Sequence, residues 1–427
     1  MKHQSQQKKG KLKSRKHLNA DALLKRLHKD FLRVSDFREG DIDISIADAL
    51  MSGFAVFSLK EPSLLAFDKR RETDGNLENI YHIENIPCDT QMRTILDEVN
   101  PEEIRPAYSN IFREVQRGKA LEPMVFFQGC YLLSLDGTGY FSSKKILSDN
   151  CLQKVKKDTG EITYYQQMLG AAIVHPDFKE VIPLAPEFII KQDGQSKNDC
   201  ERNAAKRFFG KLRTDHPHLP IIITEDALSS NAPHIREAEK YNLHYILGVK
   251  NGDHPFLFNQ VEEAQKNGET IQFDLVDKDD PQKIHRFLFL NQVPLNASNQ
   301  DLLVNFLEYW EIKPEKTQHF SWVTDFSITK GNAYELMRGG RARWKIENET
   351  FNTLKNQGYH FGHNYGLGTK NLSVVFVMLM MLAFLVDQTQ QLCCPLFRAV
   401  WHKLGSKREL WDRMRSLFRD FAFKSMR

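Results

Sequence analysis

Three acidic residues stand out by position. Asp136 sits in SLDGTGYF, Asp226 in IIITEDALS and Glu347 in RARWKIENETFN. Each Asp closes a short apolar run that reads as a strand, and the Glu lies in a stretch of helical character. If the two strands are neighbours, both Asp carboxylates emerge at one edge of a sheet. A helix packed across that edge brings Glu347 to them. Three clustered carboxylates repel one another unless a cation sits between them. Mg²⁺ suits the place, because it takes oxygen ligands and keeps waters for substrate phosphates. Two such ions about 3.5–4 Å apart can activate a nucleophilic oxygen and stabilise the leaving oxygen of a phosphodiester. Mn²⁺ is the natural substitute. Taken singly, each acid has a plainer reading: Asp at a strand end is often a turn residue, and Glu in RWKIENE is often a solvated helix position.

The hydrophobic pattern supplies the elements that must hold these acids. Residues 18–33 place Leu23, Leu24, Leu27 and Phe31 at helical spacing, and 43–57, 85–98 and 101–119 also read as helices. The region 18–120 is therefore expected to be an all-helical unit, with Asp89 or Thr90 as a cap. The pattern then changes. Residues 130–136, 161–174, 179–190, 219–226 and 243–249 read as strands, and 198–213 and 231–241 as helices. A meander followed by strand–helix–strand units argues an α/β core with a mixed sheet over 125–254. Residues 255–325 are rich in β-branched and aromatic residues and read as a β-rich insertion. Helix returns over 331–358, so the core resumes over 326–390, and 391–427 form a basic helical tail.

Charge is unevenly spread along the 427 residues. The net charge is +4, but residues 1–17 carry +7 and residues 396–427 carry +6, which leaves −9 for the remaining 378. Two basic ends suit a polyanion such as nucleic acid. Residues 1–17 read as a basic arm without structure of its own. Six cysteines with no CxxC pair exclude a disulfide scaffold and argue against a structural zinc site, as in a reducing cytoplasm. No apolar stretch follows the basic start, so no secretory signal is expected. The run Val374–Val386 is apolar for 13 residues and then meets Asp387. A spanning helix needs about 20, so the run reads as a buried core helix. No GxxxxGK[ST] loop is present, and ATP use is not indicated.

The blocks SLDGTGYF, IIITEDALSS, YILGVKNGDH and RWKIENETFNTLKNQGYHFGHNYG resemble those of DDE-type insertion-sequence transposases, in the cut-and-paste group called IS-four-like. The resemblance covers about residues 40–390, and the Glu-containing block is its most specific part. It implies an RNase H-like catalytic domain with a β-rich insertion between the second Asp and the Glu; here that gap is 121 positions. It also implies Asp136, Asp226 and Glu347 as catalytic, metal-binding residues. Of the family's Tyr-Arg-Glu-Lys signature, Arg343 is in place four residues before Glu347. The Tyr position is Gly340, and the Lys position is Leu354, with Lys355 one later.

On this reading the chain is a transposase. It binds terminal inverted repeats, cuts DNA and joins the 3′-OH ends to target DNA without ATP, as a homodimer bridging two ends. Lys8, Lys9, Lys11, Lys13, Arg15 and Lys16 would contact phosphates, as would Arg343, Lys355 and Lys250. Trp322 would stack on an unpaired base; its plainer reading is a core tryptophan. Asp199 and Glu201 are read as a helix cap and a first-turn acid rather than metal ligands. His360 and His363 have only loose metal-like spacing. Two alternatives stay open: an RNase H-like nuclease without strand transfer, and a catalytically silent DNA-binding protein of transposase descent. The location expected is the cytoplasm, on the nucleoid.

Overall fold

The structure, a computed structural model, describes residues 17–148, 151–189 and 199–426. The basic arm, with Lys8, Lys9, Lys11, Lys13, Arg15 and Lys16, lies outside the described residues. The chain divides into two compact units. The first holds residues up to Leu121, Gln357–His360 and Asn371–Arg427; the second holds Glu122–Asn356 and Phe361–Lys370.

The first unit is helical, as its 3.6-residue periodicity dictates. It opens with α1 (Ala20–Phe31), α2 (Ile46–Ser58), α3 (Leu64–Arg71), α4 (Asn76–Asn79), α5 (Asp89–Asp97) and α6 (Arg105–Arg117). Asn19 caps α1 by accepting from the Ala22 amide, and Ser45 caps α2 by accepting from the Asp48 amide. The expected caps of α5 do not hold that role: its N-cap is Cys88, whose amide is held by Gln91. Every residue of α2 is buried, which its nearly unbroken apolar sequence requires.

The second unit is built on one mixed sheet. Its strands are β1 (Val125–Phe127), β2 (Cys130–Ser143), β3 (Leu152–Val155), β4 (Ile162–Val174), β5 (Ile182–Pro183), β6 (Glu187–Ile189), β7 (Ile221–Glu225), β8 (His244–Gly248), β9 (Ile271–Val276), β10 (Ile284–Asn296), β11 (Asn299–Ile312) and β12 (Thr317–Thr324). Its helices are α7 (Glu201–Asp215), α8 (Ala232–Lys240), α9 (Pro255–Lys266), α10 (Ala333–Ala342) and α11 (Asn352–Asn356). The strand order is β3-β4-β2-β7-β8-β12-β11-β10-β9. β4 runs antiparallel to β2, while β7 and β8 run parallel to it. These are the strand directions of an RNase H-like core, and the α/β class expected from the sequence holds.

Three boundaries differ from the sequence reading. β2 does not end at Asp136 but continues to Ser143, because the antiparallel β4 pairs it past that point. The segment 255–325 does not begin with strand: α9 occupies its first residues. Its four strands extend the same sheet, since β12 pairs with β8. The third concerns the chain's end. The helix expected at 371–386 is α12 (Leu372–Cys393), and it belongs to the first unit, not to the core with Glu347. By length and composition α12 could cross a membrane, yet its apolar window is wholly buried inside the protein. It packs on α2, α5 and α6. Two basic helices follow, α13 (Pro395–Leu404) and α14 (Lys407–Asp420).

The first unit also buries a charge pair. Lys60 Nζ lies 2.6 Å from Asp387 Oδ2 and donates to the carbonyls of Phe57 and Ser58 at 3.0 and 3.2 Å. Tyr359 donates to the same carboxylate at 2.5 Å. Burial pulls the Lys60 ammonium below the usual lysine range, and Asp387 holds it up.

Candidate active site

The acids are placed by strand register. Ser134 of β2 faces Thr224 of β7 in the parallel ladder. Two residues further along each strand come Asp136 and Asp226, so the two acids leave adjacent strands at the same level. β7 ends at Glu225, and the chain turns at once: Asp226 Oδ1 accepts from the Leu228 amide at 3.0 Å and starts a short 3₁₀ turn. Asp226 is therefore both a turn residue and a wall of the cavity beyond the strand ends.

Glu347 comes from the opposite direction in sequence. After α10 the chain widens into a π-helical turn, Ile346–Phe351, which carries Glu347 in its first part. Such wide turns recur at functional sites. The turn is pinned to the sheet at two points. Ser134 Oγ donates to the Arg343 carbonyl at 3.0 Å. The Phe351 ring lies where a Cβ on Gly170 would meet it at 2.7 Å, so β4 needs a glycine at that contact. Gly170 faces Asp136 across the β2–β4 ladder.

Arg343 bridges the acids. Its Nη1 donates to Glu347 Oε1 at 3.0 Å and lies 3.6 Å from Asp136 Oδ2. Its guanidinium also sits over the Trp344 ring, 4.6 Å from the centroid. One turn of helix between Arg343 and Glu347 makes this pairing possible. Even so, positive charge does not balance the site. Burial pushes the Asp136 carboxyl up to about 7; Arg343 pulls it down, and the carboxylates of Glu347 and Glu201 push it up.

Glu201 is the residue that sequence reasoning placed elsewhere. It is indeed a first-turn acid of α7, but its side chain lies on Gly137, the residue after Asp136. A Cβ at 137 would stand 2.0 Å from Glu201 Oε1. Burial and the charges of Asp226 and Glu225 raise its carboxyl above the usual range. The glycine in SLDGTG is the sequence signal for this approach. A side chain there would occupy the space that Glu201 fills. Asp199 is not a cap: it accepts from Arg207 Nη2 at 2.8 Å, and the N-cap of α7 is Cys200.

Asp136, Glu201 and Asp226 line one cavity of about 720 Å³, with Glu225, His234 and His254 along its wall. Glu225 is held away from the acids' centre. It takes a hydrogen bond from Ser229 Oγ at 2.5 Å and pairs with His234 Nε2 at 2.8 Å. Asp136, Glu201 and Asp226 thus offer carboxylate oxygens to the cavity, with repulsion that Arg343 only partly relieves. That chemistry fits a hard divalent cation. Among the described residues, no three Asp, Glu, His or Cys side chains already stand around a single point where an ion would bind.

The remaining candidates fall outside this centre. Trp322 is 5% exposed and stacks on Phe320 at 5.8 Å. A Cβ on Gly340 would meet its indole nitrogen at 2.3 Å. The ring therefore has a covered face and packs in the core, as in the plainer of its two readings. The same contact leaves little room for a side chain at position 340. Leu354 is fully buried, and Lys355 is exposed on α11, away from the cavity wall. Lys250 is exposed just past β8 and does not line the cavity. His363 packs edge-on against Tyr365 at 4.6 Å.

Compared with solved structures, the chain is similar to the piggyBac transposase in its synaptic complex with hairpin DNA. The identity is 11% and the TM-score 0.41, and the match covers 94% of this chain and 79% of that one. No protein-family model and no curated protein matches the sequence.

Proposed function

We propose that the chain is a DDE-type DNA transposase of the IS-four-like kind, with Asp136, Asp226 and Glu347 as its catalytic carboxylates. The observation that carries this reading is the placement of Asp136 and Asp226 two residues beyond the paired Ser134 and Thr224 of parallel neighbours, with Glu347 brought back to Asp136 by the π-helical turn. Asp136, Asp226 and Glu347 would hold Mg²⁺, with Glu201 beside them. Bound there, Mg²⁺ would supply a metal-activated oxygen nucleophile and charge neutralisation for in-line phosphoryl transfer.

The chain's own residues set the rest. The parallel strands fix the spacing of the two Asp carboxylates, and the Ser134–Arg343 hydrogen bond fixes the turn that carries Glu347. Arg343 presents a planar, permanently charged group beside the acids, suited to a phosphodiester oxygen. It keeps Glu347 oriented while the cleft is empty of substrate. First water, then the freed 3′-OH, would attack a phosphodiester at this point, and in each step the 3′ oxygen of the cleaved bond would depart on the opposite side. DNA is the partner. Two copies would bridge two element ends, and the exposed Leu396 and Val400, one turn apart on α13, support a contact between copies.

The test is cleavage and strand transfer on DNA carrying the repeats that flank the gene, in Mg²⁺. Asp136→Asn, Asp226→Asn and Glu347→Gln should each reduce cleavage by about a thousandfold or more. Full cleavage by all three variants refutes the assignment. Cleavage without joining would make the chain a nuclease. Repeat binding without cleavage by the unaltered chain would make it a silent DNA-binding protein.

A further inference from the structure

A second cavity continues from the acid site along the sheet. It measures about 640 Å³ and is lined by Ser142 of β2, Lys154 and Lys156 at β3, and Thr163, Tyr165 and Gln167 of β4. Tyr165 and Gln167 also line the cavity that holds Asp136, Glu201 and Asp226. The two cavities therefore meet across these side chains. The period of two along β4 puts Thr163, Tyr165, Gln167 and Leu169 on one face, and Leu169 ends this row beside the acids.

The chemistry of this groove changes along its length. At one end stand the carboxylates. In the middle are a half-buried phenol ring and an amide, and at the far rim are two lysines on alternate residues. Lys154 and Lys156 have no carboxylate partner among the described residues. Glu161, the one acid among the described residues on that rim, is already paired with Lys144 at 2.7 Å. Residues 144–157 hold five lysines against one acid. A sheet face with hydroxyl, amide and aromatic groups, rimmed by lysines that no described carboxylate pairs, matches a single nucleic-acid strand: bases over the aromatic, phosphates along the cations.

We propose that this groove is the track for the DNA strand that runs from the acid site, with Tyr165 under a base and Lys154 and Lys156 on successive phosphates. The inference rests on reading the acid site as a DNA-cleaving centre. It assigns substrate contacts to β3 and β4, which none of the sequence motifs marks.

The experiment is fluorescence anisotropy with labelled single-stranded and duplex oligonucleotides on the full chain, across a salt series. Cleavage of repeat DNA is measured in parallel. The double variant Lys154→Gln, Lys156→Gln should weaken single-strand binding about tenfold and flatten the dependence of log K on log salt by about 1.4, at roughly 0.7 per lost phosphate contact. Lys154→Arg with Lys156→Arg should restore the slope. Tyr165→Leu should lose about fivefold or more with little change in slope, and Tyr165→Phe should retain binding. An unchanged slope and affinity in the lysine variant overturns the track and leaves the cleavage reading standing. Slope loss in a chain that never cleaves keeps the track and overturns the cleavage reading. Equal losses on duplex and single strand overturn the single-strand assignment.

Discussion

Removing the charge of Asp136 should stabilise the protein above neutral pH in the absence of divalent cations. The carboxyl is only 23% exposed and titrates at about 7 instead of 3.8, because burial and two neighbouring carboxylates disfavour its ionised form. A raised carboxyl pKa means that the folded state holds its proton more tightly than the unfolded chain. Stability therefore falls as pH rises from about 4 to about 7, then levels off. Three units at 1.36 kcal/mol each set a ceiling of about 4 kcal/mol, and water entry with local relaxation reduces the expected value to about 2 kcal/mol. Asp136→Asn keeps the shape and has no such term. Its advantage over the unaltered chain should be near zero at about pH 4 and should reach its plateau at about pH 8. The assay is urea unfolding with chelator present, read by hydrogen exchange of peptides from β2, because a chain of two units need not unfold in one step. The same difference between variant and parent at both pH values would refute the electrostatic account of this site.

Other outcomes follow from specific contacts. In thermal unfolding, Mg²⁺ should raise the midpoint of the unaltered chain, and Asp136→Asn with Asp226→Asn should abolish that rise, since only a folded-state site is stabilised by mass action. Gly340→Ala should lower stability by about 1–3 kcal/mol in urea titration, because its methyl group meets the rigid Trp322 indole at 2.3 Å. Gly137→Ala meets only the mobile end of Glu201, so its stability should change by less than about 1 kcal/mol while the Glu201 carboxylate swings off Asp136; a crystal structure of the variant checks this. Lys60→Met should cost about 3–5 kcal/mol by calorimetry, since it leaves the Asp387 carboxylate buried with Tyr359 alone. Adding Asp387→Leu should recover most of that loss.

The nearness of Asp136 and Asp226 was legible in the sequence because it follows from local pattern. The apolar runs before Asp136 and Asp226 read as buried strands, and β2 and β7 are indeed parallel neighbours. Parallel pairing of β2 with β7 fixes the level of both chains at Ser134 and Thr224, so the acids two residues beyond can be read together. Glu201 was not legible in this way. A first-turn acid on a helix looks the same in sequence whether it faces water or an acid-lined cavity, and only the packing of α7 on Gly137 distinguishes the two. Trp322 could not be placed from sequence for the converse reason. An aromatic residue in a β-rich segment reads equally as ligand platform or core, and the absence of a side chain at Gly340 decides for the core.

The sequence by itself determined most element types, the buried character of α12, the α/β class, and the position of Asp136 and Asp226 after buried apolar runs. These depend on periodicity and on which residues tolerate burial, and both are local properties. The tertiary structure decided which unit α12 completes, that the β-rich segment extends the core sheet, and that Arg343 and Glu201 join the carboxylates. It also decided that the acid cavity opens onto the lysine-rimmed face of β3 and β4. Those outcomes depend on contacts between residues far apart in the chain, where register, steric fit and the charge of distant neighbours act together.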